Sequence, residues 1–188
     1  MPRPRKLRDA PASLTVHLVE VVEHKPPRGV TPVEWLLVTT LPIDEPTSVA
    51  AVVDNYRARW VIEEYFKALK TGCSYEKRQL ESRHALLNAL GILAPLAWRL
   101  LALRTLADDD PDASAASLLD PDELHVLRKM SKDIKLGPAP TVAGILMAIA
   151  RIGGHFPQNG RPGWLVLGRG LEKVLDRVEG YRLAKAEM

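Results

Sequence analysis

The sequence predicts an α+β chain in which a strand hairpin precedes a series of helices. Residues 14–23 and 33–40 are rich in β-branched and apolar side chains, and a turn with two prolines and a glycine, residues 25–29, separates them. From about residue 46 onward, apolar residues recur with the period of helices. Beyond residue 108 the pattern is helical throughout, so the C-terminal part is predicted to be all α.

The two predicted strands differ in their patterns. Residues 33–40 contain a nearly continuous apolar run around Trp35, which predicts a strand buried on both faces. A tryptophan in such a strand is usually a core residue.

Helices are predicted from Pro46 onward, because proline suits the first turn of a helix. Residues 47–70 form either one helix or two with a break near Arg57, and Gly72 marks the end. A long apolar helix is predicted from about His84 to Ala107. It is interpreted as a buried helix of a soluble domain, since Asn88, Pro95 and Arg99 interrupt its apolar run, and no membrane association is expected.

The acidic stretch 108–112 predicts a boundary between domains. The division is then a basic flexible leader at residues 1–11, one domain at 12–108 and a helical domain at 109–188. In the last of these, helices are predicted over 121–133, from Val142 to Ile152 after a Thr141 N-cap, and from Trp164 to Ala186.

Composition sets weak limits on function. The formal net charge is +3 and the pI about 9.1, which permits nucleic-acid binding through local basic patches. Cys73 is the only cysteine, so an internal disulfide is excluded, and with no signal peptide visible a cytoplasmic location is expected. The five histidines are scattered without metal-ligand spacing, and no glycine-rich phosphate loop is present.

Residues 56–70 contain the most informative pattern. At about 100° per residue, a helix here separates a polar face from an apolar one. The polar face carries Tyr56, Arg59, Glu63, Lys67 and Lys70, and the apolar face carries Val61, Ile62, Tyr65, Phe66 and Leu69. One carboxylate among three cations and a phenol suits a metal ligand flanked by phosphate-binding groups. The alternative is a solvated face with i,i+4 ion pairs, each contributing about 0.2–0.5 kcal/mol.

The spacing of Tyr56, Arg59, Glu63 and Lys70 resembles the Y-R-E-K signature of insertion-sequence-four type bacterial DDE transposases, which include the transposon-five type. The neighbouring residues are also similar, namely Arg59-Trp60-x-Ile62-Glu63-Glu64 and Lys70-Thr71-Gly72. The resemblance implies that residues 12–108 are the C-terminal end of a ribonuclease-H-like catalytic domain. It implies that Glu63 is a catalytic ligand of Mg²⁺ and that Tyr56, Arg59 and Lys70 bind DNA. Lys67 shares their face and is included among the DNA-binding residues.

The resemblance extends to Trp35. In these transposases a Trp-Leu-Leu-x-Thr strand lies at about this distance before the signature, and its tryptophan stacks on a base flipped out of the transposon end. Aromatic faces stack on unpaired bases with about 1–3 kcal/mol per base. Trp35 is therefore predicted as a base-stacking residue, with the core role as the alternative.

The C-terminal part resembles the dimerisation region of the same transposases. The similar residues are Gly153-Gly154-x-Phe156, Gly160-x-Pro162-Gly163-Trp164, Arg169-Gly170-Leu171 and Gly180-Tyr181-x-Leu183-Ala184. The position before Arg169 is commonly Trp in the family and is Gly168 here, which is expected to loosen that contact. The implied partners are transposon-end DNA and a second transposase chain, in a homodimer or in a heterodimer with full-length transposase.

The two aspartates of the family's catalytic triad have no match in this chain. Only Asp9, Asp44 and Asp54 precede Glu63, and none lies at a family position. The chain is therefore interpreted as a C-terminal fragment of a cut-and-paste transposase that is inactive alone. The alternative is a non-catalytic dimerisation protein that inhibits an intact transposase. A helical module unrelated to DNA requires the signature to be a coincidence.

Overall fold

The computed structural model describes residues 13–187, which form two β-strands and six α-helices. They divide into two compact units, one ending at Val61 and the other starting at Ile62. The predicted leader at residues 1–11 lies outside the described residues. The α+β class with a strand hairpin followed by helices is confirmed.

The first unit is a hairpin covered on one face by a helix. β1 (His17–Val22) pairs antiparallel with β2 (Glu34–Thr39), which places Val19 opposite Leu37. α1 (Pro46–Ala58) begins at the predicted proline. A small core forms between the helix and the hairpin from Val19, Leu37 and Val52, with partly buried apolar side chains packed around it.

The prediction that the second strand is buried on both faces is wrong for this structure. Leu36 and Val38 of β2 are 67% and 65% exposed. They share the outward face of the hairpin with Leu18 of β1, because side chains alternate between the two faces of a strand. In this unit a single helix covers a single face, so the inward residues alone are buried.

The signature segment is interrupted twice. α1 ends at Ala58, and α2 spans Trp60–Lys67, so the break lies at Arg59. The next five residues, Ala68–Gly72, form a π-helical turn, hereafter the π turn, which is closed by a 2.9 Å hydrogen bond from the Cys73 N–H to the Ala68 carbonyl. A single regular α-helix over 56–70 is therefore wrong. The π turn is wider than an α-helical turn, so the position on the polar face that a constant 100° per residue predicts for Lys70 does not hold beyond Lys67.

The second unit continues with four α-helices, which are joined by the segments 110–120, 131–141 and 153–163. The helices are α3 (Arg83–Asp109), α4 (Pro121–Met130), α5 (Val142–Ile152) and α6 (Trp164–Ala186). The Ser82 and Thr141 hydroxyls accept hydrogen bonds from the first turns of α3 and α5, which confirms the Thr141 N-cap. At the start of α4, Asp120 and Glu123 form a reciprocal capping box. The bounds of α5 and α6 agree with the predicted ones.

α3 is buried on one side only. Leu93, Leu100 and Leu101 belong to the core, whereas Ile92 and Trp98 are 68% and 59% exposed. The prediction of a buried helix is thus correct for one face. By length and composition α3 could cross a membrane, which is weak evidence because the core helix of a soluble protein passes the same test.

One hydrophobic core joins the elements of the second unit. It contains residues from the π turn and from α3 to α6, and its largest fully buried side chains are Leu100, Leu127, Ile145, Ile149 and Leu167. This core includes residues on both sides of position 108. The boundary predicted there does not coincide with the division into compact units, and it stays a prediction about functional domains.

α5 and α6 pack with their backbones in close contact. A Cβ atom placed on Gly170 would lie 1.9 Å from the Ile149 carbonyl oxygen, and one on Gly153 would lie 1.8 Å from the Val166 carbonyl oxygen. Any side chain at these two positions would force the helices apart. Glycine is therefore required where α6 crosses the end of α5.

Candidate nucleic-acid interface

Three of the predicted DNA-binding residues meet in the first unit. Trp35 of β2 and Tyr56 of α1 contact each other edge to face, with ring centroids 5.0 Å apart and planes at 60°. The guanidinium carbon of Arg59 lies 5.5 Å from the Tyr56 ring centroid and 5.7 Å from that of Trp60. The result is a continuous row of aromatic and cationic groups, of a kind that binds unpaired bases and phosphates.

Trp35 is partly buried in this row. Its side chain packs against the small core of the first unit, next to Val21 across the hairpin register. The core role is therefore present in the structure. The stacking role remains a prediction, since base stacking needs a ring face open to a ligand.

A groove of about 460 Å³ opens between β2 and α1 beside this row. Its lining residues are Leu36, Leu37, Val38, Thr39, Leu41, Val52, Asn55, Tyr56 and Arg59. Most are apolar, and the polar groups are a hydroxyl, an amide, a phenol and a guanidinium. Such a mixture is typical of pockets that accept a flat, hydrogen-bonding ligand.

Sequence reasoning missed the part of Asn55 and Leu41 in this groove. Three lining residues of α1, Val52, Asn55 and Tyr56, together with Arg59 directly after it, have the i, i+3, i+4, i+7 spacing of one helix face. That spacing was available in the sequence. The signature itself begins at Tyr56, so Val52 and Asn55 lie outside the pattern that indicated the site.

The other signature residues belong to the second unit. Glu63 and Lys67 lie on α2, and Lys70 lies on the π turn. The Lys67 ammonium donates to a carboxylate oxygen of Glu64 at 2.6 Å, and the Lys70 ammonium pairs with Glu76 at 3.1 Å. Both lysines are exposed at their tips, so an incoming phosphate could reach them.

Glu64 interacts with Lys67, Arg104 and Trp164, which the sequence did not indicate. Hydrogen bonding to Lys67, together with the nearby Arg104 guanidinium and the Trp164 indole, lowers the pKa of the Glu64 carboxyl, although partial burial opposes this. The Arg104 guanidinium lies over the Trp164 ring, 4.5 Å from its centroid. Burial and the neighbouring Arg161 lower the pKa of Arg104. No regular spacing relates positions 64, 104 and 164, so pattern analysis could not have found them.

Gly168 of α6 lies in close contact with the backbone of the π turn. The expectation that Gly168 loosens a contact of the dimerisation region stays a prediction. A Cβ atom at this position would lie 1.9 Å from the Gly72 carbonyl oxygen. The backbone of α6 therefore touches the last residue of the π turn. Any side chain at position 168 would overlap this backbone.

The apolar face predicted for residues 61–69 is only partly buried. Leu69 and its neighbour Ala68 are in the core, and Tyr65 donates a 3.4 Å hydrogen bond to the Ala94 carbonyl. Ile62 and Phe66 are exposed. Burial of apolar side chains in this segment is therefore confined to Ala68 and Leu69 of the π turn and, in part, to Tyr65 of α2.

The donor groups needed for a metal site were tested against the structure. Within residues 13–187, no group of three His, Cys, Asp or Glu side chains is arranged to hold a metal ion. Asp54 instead pairs with Arg57 at 3.3 Å, and Asp9 lies outside the described residues. The described carboxylates do not fit a two-metal centre, which needs several convergent oxygens.

A sequence model of a known family supplies the decisive comparison. The family described as the transposase DDE domain matches residues 3–98, which include the hairpin, α1, α2 and the π turn. The chain belongs to the transposase DDE domain family. Such transposases bind DNA at transposon ends and generally use a divalent metal ion. The match ends within α3, so the helices from α4 to α6 lie beyond it.

Proposed function

We propose that this chain is the C-terminal part of a cut-and-paste DDE transposase of the insertion-sequence-four type and that it contacts transposon-end DNA. Tyr56 contacts the DNA backbone at a flipped base, and Trp35 is its stacking platform. Arg59 and Lys70 hold phosphates, and Lys67 adds a third cation. The helices beyond α3 pair with a second transposase chain.

The observation that carries the proposal is the row formed by Trp35, Tyr56 and Arg59 beside the groove. Tyr56 and Arg59, two residues of the Y-R-E-K spacing, are in contact, since the Arg59 guanidinium carbon lies 5.5 Å from the Tyr56 ring centroid. Trp35, which was predicted from a separate strand, contacts Tyr56. If Trp35 were only a core residue, the arginine beside this ring pair at an open groove would have no function in the arrangement. The matched family binds DNA, which agrees with this arrangement.

The test is DNA binding by the 188-residue chain, measured by fluorescence anisotropy. The probe is a labelled duplex with one extrahelical thymine, and the control is the same duplex with an abasic residue at that position. We expect salt-dependent binding that is tighter for the extrahelical base. Trp35→Leu keeps an apolar core side chain but should abolish this preference while leaving binding to the abasic duplex. Equal binding of both duplexes by the unaltered chain would refute the stacking role.

Glu63 is proposed as the one triad carboxylate that this segment supplies to a complete transposase. Glu63→Ala in a complete transposase carrying this segment should abolish DNA cleavage and leave DNA affinity within about twofold, because a ligand loss affects metal-assisted chemistry and not phosphate contacts. Retained cleavage would refute the role. Glu64→Ala is the matched control, because it removes a neighbouring carboxylate that is not proposed as a metal ligand. This variant should retain DNA cleavage.

A second candidate function is inhibition of an intact transposase by pairing with it. It is favoured by the separate core of the second unit together with the absence of a three-ligand metal group among residues 13–187. Added to a related full-length transposase, the chain should lower transposition in proportion to its dose. An unchanged rate at a several-fold excess would exclude this function.

A further inference from the structure

Two backbones meet where α6 passes the π turn. The hypothetical Cβ of Gly168 would lie 1.9 Å from the oxygen, 2.5 Å from the carbonyl carbon and 2.9 Å from the Cα of Gly72. These are fixed backbone atoms, so no side-chain movement could relieve the overlap. The π turn and α6 are therefore so close at Gly72 and Gly168 that only a glycine fits at position 168.

Trp164 fixes the same turn from the start of α6. Its side chain is 8% exposed, and both its Cβ and its carbonyl oxygen lie within 4 Å of a Cβ built on Gly72. The Arg104 guanidinium carbon lies 4.5 Å from the centroid of the Trp164 ring. Arg104 in turn acts on Glu64, which binds Lys67. Lys70 itself lies on the π turn that contacts α6.

We infer that Gly168 and Trp164 are positioning residues, which hold the π turn in one orientation and so set the direction in which Lys70 is presented to DNA. The inference rests on the proposed function for the role of Lys70. A π turn is rare, and its wider backbone ring is less favourable than an α turn. The external contact with α6 is what stabilises it here. Without that contact the segment would return towards α-helical geometry and rotate Lys70.

The chain contains matched controls on the same helix. Gly170 makes an equally close contact, but with Ile149 of α5 and not with the π turn. A Cβ on Gly180 would meet nothing within 4 Å. Each of three variants therefore adds the same methyl group at a different place. Gly168→Ala adds it against the π turn, Gly170→Ala adds it against α5, and Gly180→Ala adds it in open space.

The first measurement is hydrogen–deuterium exchange of the full chain. Gly168→Ala should raise amide exchange over residues 62–72 by about tenfold, with α4 unchanged. Gly170→Ala should raise exchange in α5, and Gly180→Ala should change neither segment. If Gly168→Ala prevents folding, Gly72→Ala replaces it, because the added Cβ there meets the flexible Leu100 side chain at 2.9 Å. Unchanged exchange over 62–72 would overturn the inference.

The second measurement is the salt dependence of DNA binding. Lys70→Ala should reduce the slope of log Kd against log salt by about one, the loss of one phosphate contact. Gly168→Ala should reduce it equally, and the double variant should show no further reduction. A Gly168→Ala slope equal to that of the unaltered chain would overturn the inference. If the unaltered chain fails to bind DNA, the proposed function fails, and the exchange data still decide whether α6 holds the π turn.

Discussion

Arg99 of α3 and Glu123 of α4 form a bidentate ion pair in which the two guanidinium nitrogens donate to the two carboxylate oxygens at 3.0 and 2.8 Å. Glu123 also accepts a hydrogen bond from the Asp120 backbone in the capping box. The side chain of Glu123 is 7% exposed. This single carboxylate therefore satisfies both the arginine and the first turn of α4.

Removing one partner of this pair should strongly destabilise the second unit. We expect Glu123→Ala to lower the free energy of unfolding by about 3–5 kcal/mol, because the Arg99 charge remains without its carboxylate in a partly buried place. Urea denaturation followed by circular dichroism measures the loss. Lys185→Ala, which removes an exposed pair with Asp122, is the control and should change stability by at most about 1 kcal/mol. Similar effects of the two variants would contradict the assignment.

The ion pair between Lys70 and Glu76 should compete with DNA. In the absence of DNA, the Glu76 carboxylate pairs with the Lys70 ammonium group, which is proposed to bind a phosphate. Glu76→Gln should therefore tighten DNA binding about two- to fivefold at low salt, since an exposed pair contributes up to about 1 kcal/mol. The gain should fade as salt screens the charges. Glu81→Gln removes a nearby charge from the same loop and should produce a smaller effect.

The Cys73 thiol should be unreactive at neutral pH. Burial raises its pKa from 9.0 to about 11, and its sulfur lies 3.8 Å from the Leu93 carbonyl oxygen. Thiolate is the reactive form, so alkylation by iodoacetamide should be slow at pH 7 and should accelerate up to about pH 11. Denaturation in urea should restore the ordinary rate. Fast alkylation of the folded chain at pH 7 would show that the thiol is exposed.

The raised pKa of Cys73 also predicts that the stability of the fold depends on pH. Between about pH 9 and 11 the folded thiol keeps its proton while the unfolded thiol loses it, so folding is linked to proton retention. The contribution of Cys73 to stability is complete below pH 9 and is lost as the pH rises through 11. The melting temperature should therefore fall more from pH 8 to pH 10.5 in the unaltered chain than in Cys73→Ala.

Local signals in the sequence predicted the local structure well. Pro46 marked the start of α1, Thr141 the cap of α5, and residues 14–23 and 33–40 the two strands. Each of these features depends on interactions within a few residues, which a sequence pattern contains. Burial of Leu36 was predicted wrongly because the covering element, not the strand itself, decides which face meets solvent.

Features that depend on distant partners were not predicted. The π turn follows from a contact between Gly72 and Gly168, which are 96 positions apart in the chain, and a helical wheel assumes a constant angle through that segment. The network of Glu64, Arg104 and Trp164 has the same origin. In the candidate site, the types of residue were recognisable from their spacing, whereas their partners depended on tertiary packing.

The outward face of the hairpin has a consequence for the chain in the cell. Leu18, Leu36 and Val38 form an exposed apolar face on a two-stranded sheet, and exposed apolar surfaces of this kind bind partners or promote aggregation. Copies that find no covering partner should be captured by the quality-control machinery and degraded. The steady-state amount of this protein would then be governed by how quickly it is sequestered, and not only by how quickly it is translated.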